Sequence, residues 1–321
     1  MILITGATGF VGGTLMRRLV ADNVKLGISA SVRCVVEDWP TLIKQVEVQN
    51  LLSSTDWHLA LQGVNVVVHC AARVHVMSDT AKDPLEAYRQ VNVMGTLNLA
   101  RQAARAGVRR FIFLSSIKVN GEATEIGYPY SADSVPAPQD PYGVTKMEAE
   151  NGLRELSAGT SMEVVIIRPP LVYGPGVKAN FSLMIRWLRK GIPLPLGGIT
   201  TNQRSLVYVE NLVDLIRVCI DHPKAENQTF LVSDDEDVST TLLLQRMSKA
   251  LGCPTRLLRF SPSLIKFIAK LIGRPKIADR LCGSLQVDIR KTKELLGWKP
   301  KFSLDEGLRE TVRRMVTYCK K

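Results

Sequence analysis

The first twenty residues constrain this chain most. Met1-Ile2-Leu3-Ile4-Thr5 is a short apolar, β-branched run, followed at once by Gly6-Ala7-Thr8-Gly9-Phe10-Val11-Gly12. Gly13-Thr14-Leu15-Met16-Arg17-Arg18-Leu19-Val20 then has helical spacing, so the stretch reads as strand, glycine turn and helix. The glycines stand at G-x-x-G-x-x-G, one residue wider at the start than the usual dinucleotide fingerprint. The physics is shared: Gly6 permits the tight turn, Gly9 lets the backbone approach a pyrophosphate, and Gly12 lets helix and strand pack closely. A diphosphate would sit on the unpaired N–H groups at the positive end of the helix dipole. Gly6, Thr8, Gly9, Phe10, Val11 and Gly12 are therefore candidate dinucleotide contacts. A plain strand–helix turn uses the same glycines, so the rest of the chain must decide.

Several function classes drop out on composition. With 321 residues and 45% hydrophobic content the chain can bury a sizeable core as one large domain or two modest ones. No apolar run reaches the roughly 18 residues of a membrane span. A strand that begins at Met1 leaves no place for a signal peptide, so a cytoplasmic protein is expected. Cys34, Cys70, Cys219, Cys253, Cys282 and Cys319 show no C-x-x-C spacing and fit reduced thiols. The four histidines form no metal-ligand pair at helical spacing, and no metal is expected.

The net charge of +12 is uneven: residues 253–321 hold 17 basic against 6 acidic side chains, while the rest nearly balances. Such a segment suits nucleic acid, an anionic membrane surface or an anionic small substrate. No nucleic-acid motif accompanies it, and 6% aromatic content argues against stacking platforms, so no nucleic-acid partner is expected.

Beyond the first helix, residues 24–32 read as a second strand whose end would reach an adenosine ribose. Ser31 and Arg33 stand there, with no carboxylate before Glu37, which favours NADP(H) over NAD(H). Val46-Glu47-Val48 reads as a third strand, with Asn50 after it to meet the adenine. Val64 to His69 is a fourth, valine-rich as a strand buried on both faces should be. Ala71 and Ala72 after it leave room for a ligand, and Arg73 and His75 are candidate substrate contacts in the loop. His69 reads as a packed strand residue.

A helix from about Leu85 to Gly107 carries Asn92, a poor helix-interior residue expected to bond the strand at 111–115. That strand closes in Ser115-Ser116. Tyr142-Gly143-Val144-Thr145-Lys146 opens the next helix and puts a phenol and an ammonium one turn apart. A nearby cation favours phenolate, lowering the tyrosine pKa toward the range a general acid/base needs. Val164 to Arg168 is a sixth strand, Asp234 to Asp237 is expected to cap the helix begun at Ser239, and Pro262 to Gly273 is expected to pack between domains. A membrane-surface role for that last helix is the alternative.

Together these motifs resemble the short-chain dehydrogenase/reductase superfamily. Arg168-Pro169-Pro170-Leu171-Val172-Tyr173-Gly174-Pro175 and Arg204-Ser205-Leu206-Val207-Tyr208-Val209 look like its extended branch of nucleotide-sugar epimerases, dehydratases and reductases. The resemblance implies an α/β fold: a doubly wound parallel sheet of Rossmann type (1–171 and 206–235) with a smaller substrate domain (172–205 and 236–321). It implies that Tyr142 is the acid/base, that Lys146 holds the nicotinamide ribose and tunes Tyr142, and that Ser116 polarises the sugar oxygen. Ser115 and Pro169 would border the cofactor. Asn180 and Arg204 match diphosphate-binding positions, and a second such arginine would be Arg280 or Arg274. Many relatives have Arg-Asp where Arg204-Ser205 stands here. A homodimer through helices starting near residues 85 and 142 is also implied.

A dehydratase would need an Asp-Glu pair where Ile117-Lys118 stands. The stretches Ala71 to Met77 and Ser115 to Gly121 resemble bacterial enzymes that reduce UDP-4-keto-6-deoxy-N-acetylglucosamine to UDP-N-acetylquinovosamine for polysaccharide assembly. That reduction is the leading expectation. The alternatives are an NAD-dependent UDP-sugar 4-epimerase and a non-catalytic dinucleotide-binding sensor or scaffold.

Overall fold

The computed structural model describes residues 1–23, 26–74 and 83–318, and for 179–180 and 315–318 the backbone alone. β1 (Ile2–Thr5) leads through the glycine turn into α1 (Phe10–Ala21), then β2 (Ile28–Val32) and β3 (Ile43–Glu47). The short α2 (His58–Leu61) precedes β4 (Val66–His69). α3 (Pro84–Arg89), capped by Asp83, runs through a π-helical segment at Gln90–Gly95 into α4 (Thr96–Arg105). β5 (Arg110–Leu114), a 3₁₀ turn (Ile117–Val119), α5 (Pro141–Ala158) and β6 (Glu163–Arg168) follow. Next come β7 (Leu171–Tyr173), α6 (Ala179–Arg189), β8 (Arg204–Tyr208), α7 (Val209–Asp221), β9 (Thr229–Leu231) and β10 (Asp237–Val238). α8 (Thr240–Leu251), α9 (Pro262–Leu271), α10 (Pro275–Cys282), α11 (Arg290–Leu296) and α12 (Leu304–Tyr318) complete the chain.

The main sheet has seven parallel strands in the order β3-β2-β1-β4-β5-β6-β9, the doubly wound arrangement expected. Ile2 and Ile4 enter a core shared with α1 and α7, while Leu3 enters a second core with α4 and α5. Alternation with apolar residues on both faces is what a fully covered parallel strand requires. The strand order reverses between β1 and β4, whose ends pair at Thr5 and His69. In open sheets of this kind the ligand crevice lies at that switch, beyond the carboxyl ends of the strands.

A second sheet, β10-β8-β7, packs with α6, α8 and α12 around a third core. The structure departs from the expected boundaries in two places. Residue 206 lies inside β8, which pairs along its length with β7 and β10 rather than with the large sheet. Leu285, Val287, Ile289, Leu296 and Trp298 join the core of β1, because Thr292 bonds the Leu231 carbonyl at 2.7 Å and Trp298 donates to Asp214 at 2.9 Å.

Two further expectations are corrected. Ser239, not the acidic run, caps α8 by accepting from the Leu242 N–H at 3.1 Å. Asp234 is instead buried, accepting from the Tyr208 N–H (2.8 Å), Asn211 (2.7 Å) and the Tyr173 hydroxyl (2.7 Å). The Pro262–Gly273 segment does not pack between domains: of α9 only Ala269 is buried, and Ile265 rests partly on the third core.

Candidate active site

The glycine turn meets the end of β4 at the switch point. Gly6 has φ +68, and a Cβ there would stand 2.8 Å from the Ala71 nitrogen. A Cβ at Gly12 would stand 2.3 Å from the Gly6 oxygen, and one at Gly9 3.0 Å from it. No side chain fits at Gly6 or Gly12 and one at Gly9 would crowd the turn, while Thr8 and Gly9 are exposed at the mouth of α1 and Phe10 and Val11 start the helix. This cradle fits a dinucleotide diphosphate. Beneath it, Thr5 Oγ1 bonds His69 Nδ1 at 2.7 Å and accepts from the Ala71 N–H at 3.2 Å, while His69 Nε2 meets Thr96 Oγ1 at 3.0 Å. Burial and then the Lys146 charge push the His69 pKa down to about 3, so the ring is a neutral structural link. Ala71 and Ala72 are half-buried beside the turn; Arg33, the first residue after β2, and Asn50, in the loop after β3, are exposed.

α5 carries the central pair. Asp140 caps it through the Gly143 N–H at 2.7 Å, Pro141 occupies its first turn, and Lys118 pairs with the other Asp140 oxygen. Burial pulls the Asp140 pKa up, but the hydrogen bonds from Lys118 and Gly143 win and hold it low. A Cβ on Gly143 would stand 2.7 Å from the Lys118 carbonyl, so α5 presses directly on the 3₁₀ turn that Ser116 opens. Ser116 Oγ accepts from the Lys118 N–H at 3.3 Å. Lys146, 1% exposed, donates to the Leu114 carbonyl at 2.8 Å and lies 4.3 Å from the Phe113 ring centre and 5.9 Å from that of Tyr142.

The expected acidification of Tyr142 is corrected. Burial, then the Asp140 and Tyr88 charges, raise its pKa well above the ordinary phenol value. The Lys146 ammonium does not offset that burial: it points at a strand carbonyl and an aromatic face, and burial pushes its own pKa down to about 8. Tyr142 is thus a protonated phenol at neutral pH.

Other side chains are held by partners that spacing did not show. The Ser115 hydroxyl donates to Glu150 at 2.5 Å, and Glu150 also holds Arg168 through contacts of 2.9 and 2.6 Å. Pro169 is buried, its carbonyl accepting from Ile117 at 3.0 Å. Asn92 does not reach β5: it sits in the π-helical segment and pairs with the backbone of Arg73 at 2.8 and 3.0 Å, and with Thr145 at 3.3 Å. It thereby ties the loop after β4 to α5. Arg73 lies 5.5 Å from the Tyr88 ring centre, and Tyr88 edges Tyr142 at 6.3 Å. Tyr88, Glu150 and Asp140 had no motif to announce them. Only the cap spacing Asp140-Pro141 carried a signal. His75 lies outside the described residues, as does the Asn180 side chain.

A cleft of about 750 Å³ opens in front of Tyr142, lined by Tyr88, Glu122 and Asp140 on one side and Lys266, Lys276 and Arg280 on the other. Arg204 donates to the Arg280 carbonyl at 2.8 Å and to Gly283 at 3.1 Å. Burial, then the nearby Arg280 charge, lower the Arg204 pKa. Two guanidinium groups near enough to repel each other favour an anion between them. Arg274 stands instead at the start of α10, exposed and apart from the cleft lining. The Arg204-Ser205 departure has a structural use: Ser205 bonds Asp237 at 2.5 Å and accepts from Val287 at 2.9 Å.

Comparison with known proteins agrees with this geometry. The chain is 53% identical over 315 residues to a UDP-glucose 4-epimerase of Vibrio cholerae, covering 98% of this chain and 95% of that one. It is 31% identical to a UDP-glucose 4-epimerase of Mycolicibacterium smegmatis, over 97% of this chain and 96% of that one. Among solved structures, MoeE5 in complex with UDP-glucuronic acid and NAD superposes with a TM-score of 0.79 at 25% identity, covering 99% of both chains. Residues 2–233 match the NAD dependent epimerase/dehydratase family. With its glycine cradle, phenol and buried ammonium in place, the chain is an enzyme and belongs to that family.

Proposed function

We propose that this protein epimerises a UDP-hexose at C4 using a bound NAD. The observation that carries the reading is the 53% identity to the Vibrio cholerae UDP-glucose 4-epimerase across nearly the whole of both chains. Quinovosamine-type reduction, the leading expectation from sequence, gives way to it. The dehydratase alternative loses further ground, since Ile117 is core and Lys118 is engaged by Glu122 and Asp140.

In this reading the Gly6–Gly12 turn, Ala71, Ala72 and Lys146 would hold the dinucleotide, which would supply reversible hydride transfer. Tyr142 would exchange a proton with the C4 oxygen from its minor phenolate state, its Oη taking the hydroxyl proton as the C4–H bond is lost and returning it when that bond re-forms on the other face. Ser116 hydrogen-bonds the same oxygen. Lys146, fixed by the Leu114 carbonyl, supplies the positive charge that lowers the cost of a transient phenolate. Arg204 and Arg280 hold the substrate diphosphate, which gives the basic C-terminal segment its use. A homodimer through the helices that begin with α3 and with α5 belongs to the same reading and is tested by sedimentation.

One observation favours a second reading. Arg33 follows β2 directly, where a carboxylate would mark NAD, and this suits NADPH and a 4-keto reductase. Purified protein incubated with UDP-glucose or UDP-N-acetylglucosamine and no added cofactor separates the two. Appearance of the C4 epimer supports epimerisation. Silence there, with NADPH consumed on UDP-4-keto-6-deoxy-N-acetylglucosamine, supports reduction. Dinucleotide binding with neither turnover leaves the sensor.

A further inference from the structure

α9 shows an apolar face to water. Ile265 rests partly on the third core, and Ala269, one turn on, is buried. Leu264, Phe267, Ile268 and Leu271 fall at i, i+3, i+4 and i+7, a single helical stripe, and are 42%, 59%, 43% and 71% exposed. Ile272 and Ile277 extend the patch toward α10, both exposed. Contiguous apolar surface of this kind marks an interaction site. Its surroundings select the partner. Residues 256–280 carry seven basic side chains (Arg256, Arg259, Lys266, Lys270, Arg274, Lys276 and Arg280) against Asp279 alone. All seven are exposed.

We propose that α9 and the start of α10 form a peripheral docking surface for an anionic phospholipid bilayer. Apolar side chains at this helical spacing enter the boundary between headgroups and acyl chains, and the flanking cations meet lipid phosphates. A second protein would need its own dense acidic rim to match the charge, whereas an anionic leaflet presents one everywhere. Among the described residues no helix is long and apolar enough to cross a membrane, so the contact lies on the surface. Lys266, Lys276 and Arg280 also line the cleft before Tyr142, so the docking surface and the catalytic cleft share a wall.

The test sediments the full-length protein with vesicles of phosphatidylglycerol and phosphatidylcholine, and with phosphatidylcholine alone. The protein should pellet with the first, remain in solution with the second, and be released by about 1 M salt, where screening shortens to roughly 3 Å. Phe267→Glu/Leu271→Glu should lose binding while keeping turnover and melting temperature, since both side chains face solvent. Lys270→Gln should weaken binding about five-fold. Failure to pellet with phosphatidylglycerol overturns the proposal, as does equal pelleting of the double variant. Self-association that the double variant abolishes, without vesicle binding, assigns the stripe to a second copy of the chain and overturns it too.

Discussion

Two regions that meet at Tyr142, the candidate dinucleotide crevice and the cleft in front of it, are walled on different principles. The crevice wall comes from strand ends and helix starts of one sheet, Gly6 to Gly12, His69 to Ala72, Leu114 to Ser116 and Tyr142 to Lys146, and of these residues Tyr142 alone also lines the cleft. Its polar groups are locked by buried bonds, Lys146 to the Leu114 carbonyl and Ser115 to Glu150 to Arg168. The C-terminal wall sets Lys266, Lys276 and Arg280, all exposed, beside Asp279 on short helices. Preorganised charge serves the chemical step, because reorganisation during reaction is what costs rate. Recognition of a flexible diphosphate tolerates mobile cations. In the proposed reading, chemistry belongs to the rigid wall and substrate choice to the exposed, softer one.

Variants on the rigid wall should show the largest effects. Tyr142→Phe removes the transferable proton and should lower kcat by about 10²–10⁴-fold while leaving the dinucleotide bound; an active variant with a bound cofactor would undo the assignment. Glu150→Ala strands the buried Arg168 guanidinium and should cost about 3–5 kcal/mol of stability, read as a fall in melting temperature. An unchanged melting curve would show that the network beneath the site is dispensable.

On the soft wall, Arg280→Ala should raise KM by roughly ten-fold or more with kcat little changed, the worth of a charged hydrogen bond. A kcat loss instead would place Arg280 on the chemical side and blur the contrast. The smallest effect is a pH limb. The Lys146 ammonium exists below its pKa and is lost above it, so kcat should decline as pH rises through about 8. A profile flat to pH 10 would show that the ammonium is not required.

The rigid wall was legible because its residues lie close in sequence and each carries a local reason: glycines that exclude a Cβ, valines for a buried strand, an i, i+4 pair on a helix. Legibility ended where tertiary context took over. Spacing placed Lys146 beside Tyr142, but showed neither the burial of the phenol, which raises its pKa, nor the Leu114 carbonyl that engages the ammonium. Asn92 was recognised as out of place in a helix, yet its partner, the Arg73 backbone, is 19 residues away in a loop. α9 has the periodicity of a packed helix, and only the fold reveals that nothing among the described residues covers its stripe.

Proton NMR of UDP-glucose incubated with the purified protein alone tests the central claim most directly. The expected result is the growth of UDP-galactose signals to equilibrium with no net change in nicotinamide redox state, and their absence with Tyr142→Phe. A folded, dinucleotide-loaded protein that leaves UDP-glucose and UDP-N-acetylglucosamine unchanged would contradict it.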